Sequence, residues 1–173
     1  EMSYVTEDDV MDMNEKFLAR LFKEFKGIDI QLPLQRMTWH EAMERFGSDK
    51  PDLRFGFELQ NISDTVKGCG FKVFADAVRA INIKGQAPKF SRKEIDALTT
   101  FVKSYKAKGL AWYKNLNGEV SSSFAKFLTE DEMNAGIKAL NIETNDLVFT
   151  VADKNKVVFD SLGALRCEIA KRL

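Results

Sequence analysis

The segment Arg45-Phe46-Gly47-Ser48-Asp49-Lys50-Pro51-Asp52-Leu53-Arg54-Phe55-Gly56 gathers chemistry-capable side chains into a stretch that cannot be a regular element. Gly47 stands where a left-handed helix C-cap is expected, Pro51 removes a backbone donor and biases Lys50 away from helix, and Gly56 marks the exit. Asp49 and Asp52 supply acceptors, Lys50 and Arg54 supply cationic donors, and Ser48 belongs to the same turn-rich run. Such a set suits either a polar ligand or an internal ion-pair lock. Charged, turn-rich loops more often satisfy themselves, so we expect a structural and positioning loop. Asp49 and Asp52 should pair with Lys50 and Arg54 or with neighbouring backbone donors.

A second concentration runs from Lys84 to Lys108, where Lys84, Lys89, Arg92, Lys93, Lys103, Lys106 and Lys108 face only Glu94 and Asp96. Lys89, Arg92 and Lys93 flank the start of a helix capped by Ser91, a place where the dipole and free backbone donors also favour an anion. This corner could meet phosphates or be an ordinary solvated face. His40 is the sole histidine; a single imidazole makes no zinc site, and no nucleophile accompanies it. Lys67-Gly68-Cys69-Gly70 resembles the opening of a dinucleotide loop, yet a strand rather than a helix is expected after it, so that reading fails and a domain hinge is expected instead.

The elements that must position these groups follow from caps and periodicity. Glu1 to Val5 reads as a strand. Thr6 with Asp9 opens a helix closed by Gly27, and Val10, Met13, Phe17 and Leu21, widened by Leu18, Phe22 and Phe25, form a stripe broad enough to cover a sheet. Thr38 with Glu41 opens a short helix ending at Gly47. Phe71 to Phe74 and Arg79 to Lys84 read as strands. Ser91 with Glu94 caps a helix to about Ala107, whose inner face is Ile95, Leu98, Phe101, Val102 and Tyr105. Leu110 to Asn115 and Glu119 to Ser122 flank Asn117-Gly118, a strong hairpin signal. Thr129 with Glu132 opens a helix to about Leu140, Asp146 to Ala152 is the last strand, and Asn155 to Leu173 is a long helix with Val158, Leu162, Leu165 and Ile169 inward. Strands alternating with helices, without parallel-sheet runs, argue an α+β sandwich for residues 70–152.

Composition bounds the class. At 45% hydrophobic and 30% charged over 173 residues, neither disorder nor a membrane protein is indicated. No apolar run approaches the roughly 18 residues of a membrane span, and the acidic N-terminus has no signal-peptide pattern. Cys69 and Cys167 carry no metal-ligand spacing, which points to reduced thiols and a cytoplasmic protein. The first residue is Glu, so we expect an excised piece of a longer chain. The net charge of zero hides an asymmetry: residues 1–66 hold 8 Lys and Arg against 14 Asp and Glu, and residues 67–173 hold 18 against 12.

Read with its flanks, Met37-Thr38-Trp39-His40-Glu41-Ala42-Met43 and Phe57-Glu58-Leu59, the central run resembles bacterial-type aspartyl-tRNA synthetase, which has an "MT-x-x-EAM-x-R" helix running into "GSDKPDLRFG". The likeness extends to Glu1-Met2-Ser3-Tyr4-Val5, Ala107-Lys108-Gly109-Leu110-Ala111-Trp112, Ala152-Asp153-Lys154 and Leu162-Gly163-Ala164-Leu165-Arg166. Phe71-Lys72-Val73-Phe74-Ala75, Ser91-Arg92-Lys93-Glu94-Ile95-Asp96 and Ala125-Lys126-Phe127-Leu128 are similar to that family's GAD insertion module. One departure is Ile83-Lys84-Gly85-Gln86, where such synthetases often have a Val-Pro-Gly-Gly turn.

The resemblance implies a GAD-like α/β-sandwich at 67–152 attached to part of a class II antiparallel-sheet catalytic domain. Residues 1–66 would belong to the catalytic domain after motif 2, and 153–173 to a helix returning to it. It implies a homodimeric parent that attaches aspartate to tRNA with ATP and Mg2+. None of the family's catalytic, cofactor or metal residues maps into this chain, so the piece alone should be inactive. Lys89, Arg92 and Lys93 become candidate tRNA phosphate contacts. DNA and membrane are not expected partners. The alternatives are a GAD-type binding module of a tRNA-dependent amidotransferase B subunit, or a spacer or protein-docking domain without RNA contact.

Overall fold

The computed structural model describes residues 2–173 and separates into two compact units, one ending at Met37 and one from Thr38 to Leu173. In the first, helix α1 (Glu7–Lys26) begins with a reciprocal cap. Thr6 Oγ1 accepts from the Asp9 N–H, and the Asp9 carboxylate accepts from the Thr6 N–H at 2.8 Å. Gly27 ends it with φ 67°. The link beyond folds back, Arg36 donating to Asp8 at 2.8 Å and to Glu15 at 3.4 Å. The expected inward stripe is not a core: Phe17 is 62% and Phe25 76% exposed. This unit contains one helix and an extended link, so it has no sheet for the stripe to cover. Met2 to Val5 form no strand, and Glu1 lies outside the described residues.

The second unit is built on one antiparallel sheet. Its elements are α2 (Trp39–Phe46), β1 (Leu59–Asn61), β2 (Ala77–Ile83), α3 (Arg92–Ser104), β3 (Ala111–Leu116), β4 (Glu119–Ser122), α4 (Glu130–Ala139), β5 (Leu147–Asp153) and α5 (Asn155–Arg172). The strand order is β1-β2-β5-β3-β4, with β2 and β5 paired along seven residues from Ala77↔Asp153 to Ile83↔Leu147. Side chains two apart share a face, and the sheet uses both faces. Ile81, Ile83, Trp112, Leu147, Phe149 and Val151 pack with Ile95, Leu98 and Val102 of α3 and with Val158, Leu162, Leu165 and Ile169 of α5. Val78, Ala80, Tyr113 and Val148 face the other way, against Ile62, Val66, Phe74, Phe124 and Leu140, with Met133 and Ile137 of α4 at the margin. The architecture is α+β.

One expectation changes here. Phe71 to Phe74 is not a strand but leads into a 3-10 turn, Lys72–Ala75. Phe71 and Phe74 lie three apart and so meet one another at 4.8 Å between ring centroids, with Phe71 stacked on Phe127 at 5.3 Å. Asn61 at the end of β1 pairs with Arg79 in the sheet, and residues 38–173 form one compact unit. Of the glycines expected to hinge, Gly68 stands in open space, whereas a Cβ on Gly70 would strike the Phe127 carbonyl. α5 shares a core with α3.

One buried carboxylate ties the turn after β2 to the start of β5. Asp146, 1% exposed, accepts from the backbone N–H groups of Gly85 at 2.8 Å and Glu143 at 2.9 Å, from Asn82 at 3.0 Å, and from Lys84 at 3.0 Å. Burial pushes its pKa up, but the backbone donors of Glu143 and Gly85, with Lys84 and Asn82, more than reverse this and hold it below the ordinary value. A depressed folded pKa means that the carboxylate's stabilisation is complete above about pH 4, the unfolded value, and is lost as pH falls through the folded one. Asp146→Asn should therefore cost about 1–3 kcal/mol at pH 7 and flatten the acid limb of a urea-midpoint-against-pH curve. An unchanged acid limb would remove Asp146 from this role.

Candidate functional site

The charged loop hangs between α2 and α5. Thr38 Oγ1 caps α2 by accepting from the Glu41 N–H at 3.1 Å. The Glu41 carboxylate does not return to Thr38; it accepts from Arg45 at 2.7 Å. Arg45 in turn reaches across the loop to Glu58, with two bonds of 2.9 and 2.8 Å. Gly47 reverses the chain with φ 67° and lies against Gly163 of α5. A Cβ on Gly163 would come within 2.5 Å of the Gly47 carbonyl oxygen, and one on Gly47 within 2.5 Å of the Phe159 carbonyl. The two backbones therefore touch, and this contact seats the loop on the helix.

Inside the loop, Ser48 Oγ accepts from the Lys50 N–H at 3.1 Å. Asp52 accepts from the Arg54 N–H at 3.0 Å and from its guanidinium at 2.9 and 2.5 Å. These bonds, side chain first and backbone second, pull the Asp52 pKa down to about 2. The structure thus brings Asp52 and Arg54 together but gives Asp49 and Lys50, both exposed, no ion pair among the described residues.

The residue that fixes the loop was not anticipated. Arg166 of α5 is 1% exposed. Its Nη2 donates to the carbonyls of Asp52 at 3.0 Å, Gly56 at 2.9 Å and Phe55 at 3.3 Å, and its Nε donates to Phe57 at 3.4 Å. The guanidinium also lies over the rings of Phe46 at 4.9 Å and Phe55 at 4.6 Å. An arginine can satisfy several carbonyls at once because its donors form a rigid fork. The signal for it was present: Arg166 follows Leu162 by four and precedes Ile169 by three, inside the buried stripe of α5.

A second buried arginine works beside it. Arg79 on β2, 3% exposed, grips Glu44 of α2 at 2.8 and 3.1 Å, donates to Asn155 at 2.9 Å, and stacks over Phe159 at 4.5 Å. α2 is thereby locked to both the sheet and α5.

The basic corner is more constrained than its composition suggests. Ser91 and Glu94 form the expected reciprocal cap. Arg92 is paired with Asp96 at 3.1 Å and lies over the Trp112 ring at 4.9 Å. Lys84 is not part of an open cationic face, being held by Asp146, Glu143 and the Asn141 carbonyl. Lys89 and Lys93 are exposed and make no ion pair among the described residues. No cluster of three or more His, Cys, Asp or Glu among the described residues could hold a metal ion, and no described helix is long and apolar enough to cross a membrane.

The fold and this site can be set against known proteins. The GAD domain family matches residues 73–162, just over half of the chain. The chain belongs to this family. The GAD match covers the sheet from shortly before β2 through β5 and the first half of α5, while the charged loop lies upstream of it. Beyond the GAD domain the whole chain is similar to curated aspartate–tRNA ligases. It is 59% identical to that of Ruminiclostridium cellulolyticum and 53% identical to that of Clostridium botulinum strain Kyoto, and in each case 100% of this chain aligns with 30% of the relative. It is 54% identical, with the same coverage, to an aspartate–tRNA(Asp/Asn) ligase of Lachnoclostridium phytofermentans. The chain thus spans about a third of the length of these relatives.

Proposed function

We propose that the chain is the GAD-bearing portion of an aspartate–tRNA ligase, which attaches aspartate to tRNA at the expense of ATP, and that this portion is accessory to the catalytic machinery. The observation that carries the reading is the extent of the similarity. Identity of 59% covers all of the chain, including residues 1–72, which lie outside the GAD match. That breadth favours a ligase over a GAD module carried by an amidotransferase subunit. In this reading ATP and Mg2+ are handled by the rest of the ligase, which is a cytoplasmic homodimer, and Arg166 and Arg79 hold the charged loop and α2 as a rigid collar beside the GAD sheet.

The test is a chimera. Replacing the aligned segment of the R. cellulolyticum ligase with this chain should leave aspartylation within a few-fold of the parent enzyme. A folded chimera that forms no aspartyl-tRNA would overturn the reading. The chain by itself should show no aspartate-dependent pyrophosphate exchange.

Within that reading, Lys89, Arg92 and Lys93 make weak, sequence-independent contacts to tRNA phosphates. The exposure of Lys89 and Lys93 beside the α3 N-terminus supports this. Triple alanine substitution in the intact ligase should raise the tRNA KM, spare adenylate formation, and flatten the salt dependence by roughly one logarithmic unit per lost phosphate contact. An unchanged salt slope with full charging would instead make the domain a spacer or protein-docking surface.

A further inference from the structure

The sheet has a gap between β3 and β5. Their pairing runs from Lys114↔Leu147 to Ala111↔Thr150 and stops there, although β5 continues to Asp153. Successive residues of a strand turn their backbone groups to opposite sides. The Asn115 N–H donates to the Asp146 carbonyl, so Val148, Thr150 and Ala152 on β5 also direct N–H and C=O toward β3. Gly109 is the residue due to meet Ala152, yet no hydrogen bond joins them, and neither backbone group of Ala152 has a partner among the described residues. Ala152 is half-buried, a setting in which backbone donors and acceptors are ordinarily paired.

A cavity of about 400 Å³ opens at this gap. Gly109, Ala111 and Ala152 leave its floor low, and Phe71 and Phe74 stand beside it. Thr150, 2% exposed, projects from the same face of the sheet, because its neighbours Phe149 and Val151 lie in the opposite core. It stands between this cavity and a smaller space walled by α4, and its hydroxyl bonds to no described residue. The charged residues of the lining are Lys72, Asp76 and Lys108, and Lys108 faces Asp153 at 3.6 Å. Two acids stand against two bases, so the rim does not select for an ion.

We propose that this cavity binds a nucleobase, whose edge pairs with the Ala152 N–H and C=O and whose ring lies against Phe71 and Phe74. Opposed residues of an antiparallel pair exchange two N–H···O bonds, and every nucleobase carries an acceptor beside a donor on one edge, so a base takes the place that Gly109 leaves empty. A primary carboxamide offers the same pair but is far too small for the space. A cavity in the range of about 300–1,000 Å³, with aromatic walls and a few backbone and hydroxyl groups, suits a group of nucleoside size. The Thr150 hydroxyl supplies one further hydrogen bond. The site rests neither on the ligase reading nor on the α3 corner, and its failure would leave both standing.

The experiment titrates the chain with adenosine and follows backbone amide shifts by NMR. Saturable shifts centred on Ala152 and Gly109 are expected, with the dimethylamino analogue of adenosine, which lacks the exocyclic donor, binding at least tenfold more weakly. Gly109→Leu is the decisive variant. The Gly109 φ is not left-handed and an added Cβ meets nothing within 4 Å, so the new side chain occupies the cavity while the urea midpoint stays close to that of the parent, and binding should be lost. Thr150→Val keeps the shape, removes the hydroxyl and should weaken adenosine roughly threefold. A short single-stranded oligoadenylate separates the sources of the base: tighter binding than adenosine assigns the site to RNA, equal or weaker binding to a free nucleoside, and either supports a nucleobase site. No saturable shift at Ala152, equal affinity for the dimethylamino analogue, full affinity in either variant, or acetamide binding as tightly as adenosine would each overturn the proposal.

Discussion

Replacing Arg166 with methionine is expected to destabilise the chain by about 3–5 kcal/mol, because four backbone carbonyls lose a charged donor at once. Methionine fills similar volume and keeps contact with Phe46 and Phe55, so packing is largely preserved. What disappears is the donor set for the carbonyls of Asp52, Phe55, Gly56 and Phe57. Those acceptors must then find water or rearrange, and burial without a partner costs about 1–3 kcal/mol for each group left dry. Urea unfolding followed by far-UV circular dichroism measures the effect. Native-state hydrogen exchange localises it, because amides from Asp52 to Phe57 should exchange faster while those of β2 and β5 follow global unfolding. Arg166→Lys should recover only part of the loss, since one ammonium cannot span the carbonyls that the fork reaches. A methionine variant with an unchanged urea midpoint would show that the loop is held by something else.

The second large effect has a sign opposite to that of helix propensity. Gly163 lies within α5, where alanine would ordinarily stabilise by about 1 kcal/mol. Here the added Cβ meets the Gly47 carbonyl oxygen at 2.5 Å and its carbon at 2.9 Å, and the Gly47 backbone cannot step aside without carrying the loop and α2 with it. Gly163→Ala should therefore destabilise by about 2–3 kcal/mol, toward the upper end of overpacking costs. Gly136 on α4 is the control, because a Cβ added there would meet nothing within 4 Å. Gly136→Ala should stabilise by about 0.5–1 kcal/mol. If both alanines stabilise, the α2–α5 contact is softer than the geometry indicates.

Much of the fold was legible wherever one local cause decides the outcome. Thr6, Ser91 and Thr129 each cap a helix in the reciprocal manner expected from the acidic residue three positions on. Asn117 and Gly118 adopt φ 53° and 91°, as a tight hairpin of this type requires. The inward set of α5 is buried at every position named. Legibility failed where a partner distant in sequence decides. Phe71 to Phe74 is too short for periods of two and three to be told apart, and the neighbours that select three are Phe124 and Phe127. β1 is three residues long and is defined by pairing with β2, not by its own pattern. The stripe on α1 is amphipathic as its spacing indicates, but amphipathicity does not say which element covers it. At the loop, the charged side chains advertised themselves, while the anchoring group was one arginine among apolar neighbours on a helix more than a hundred residues away.

That separation has a consequence for the order in which the molecule can be made. Arg166 and Asp52 are 114 residues apart, and ribosomes add about 5–20 residues per second, so the loop waits on the order of ten seconds after its own synthesis before its anchor exists. During that interval Phe46, Phe55 and Gly47 have nothing to close against, while the hairpin of β3 and β4 can already form from neighbouring sequence. A helix made more than a hundred residues later thus completes this loop, and a nascent chain stalled before α5 would present that loop unfolded to proteases and chaperones.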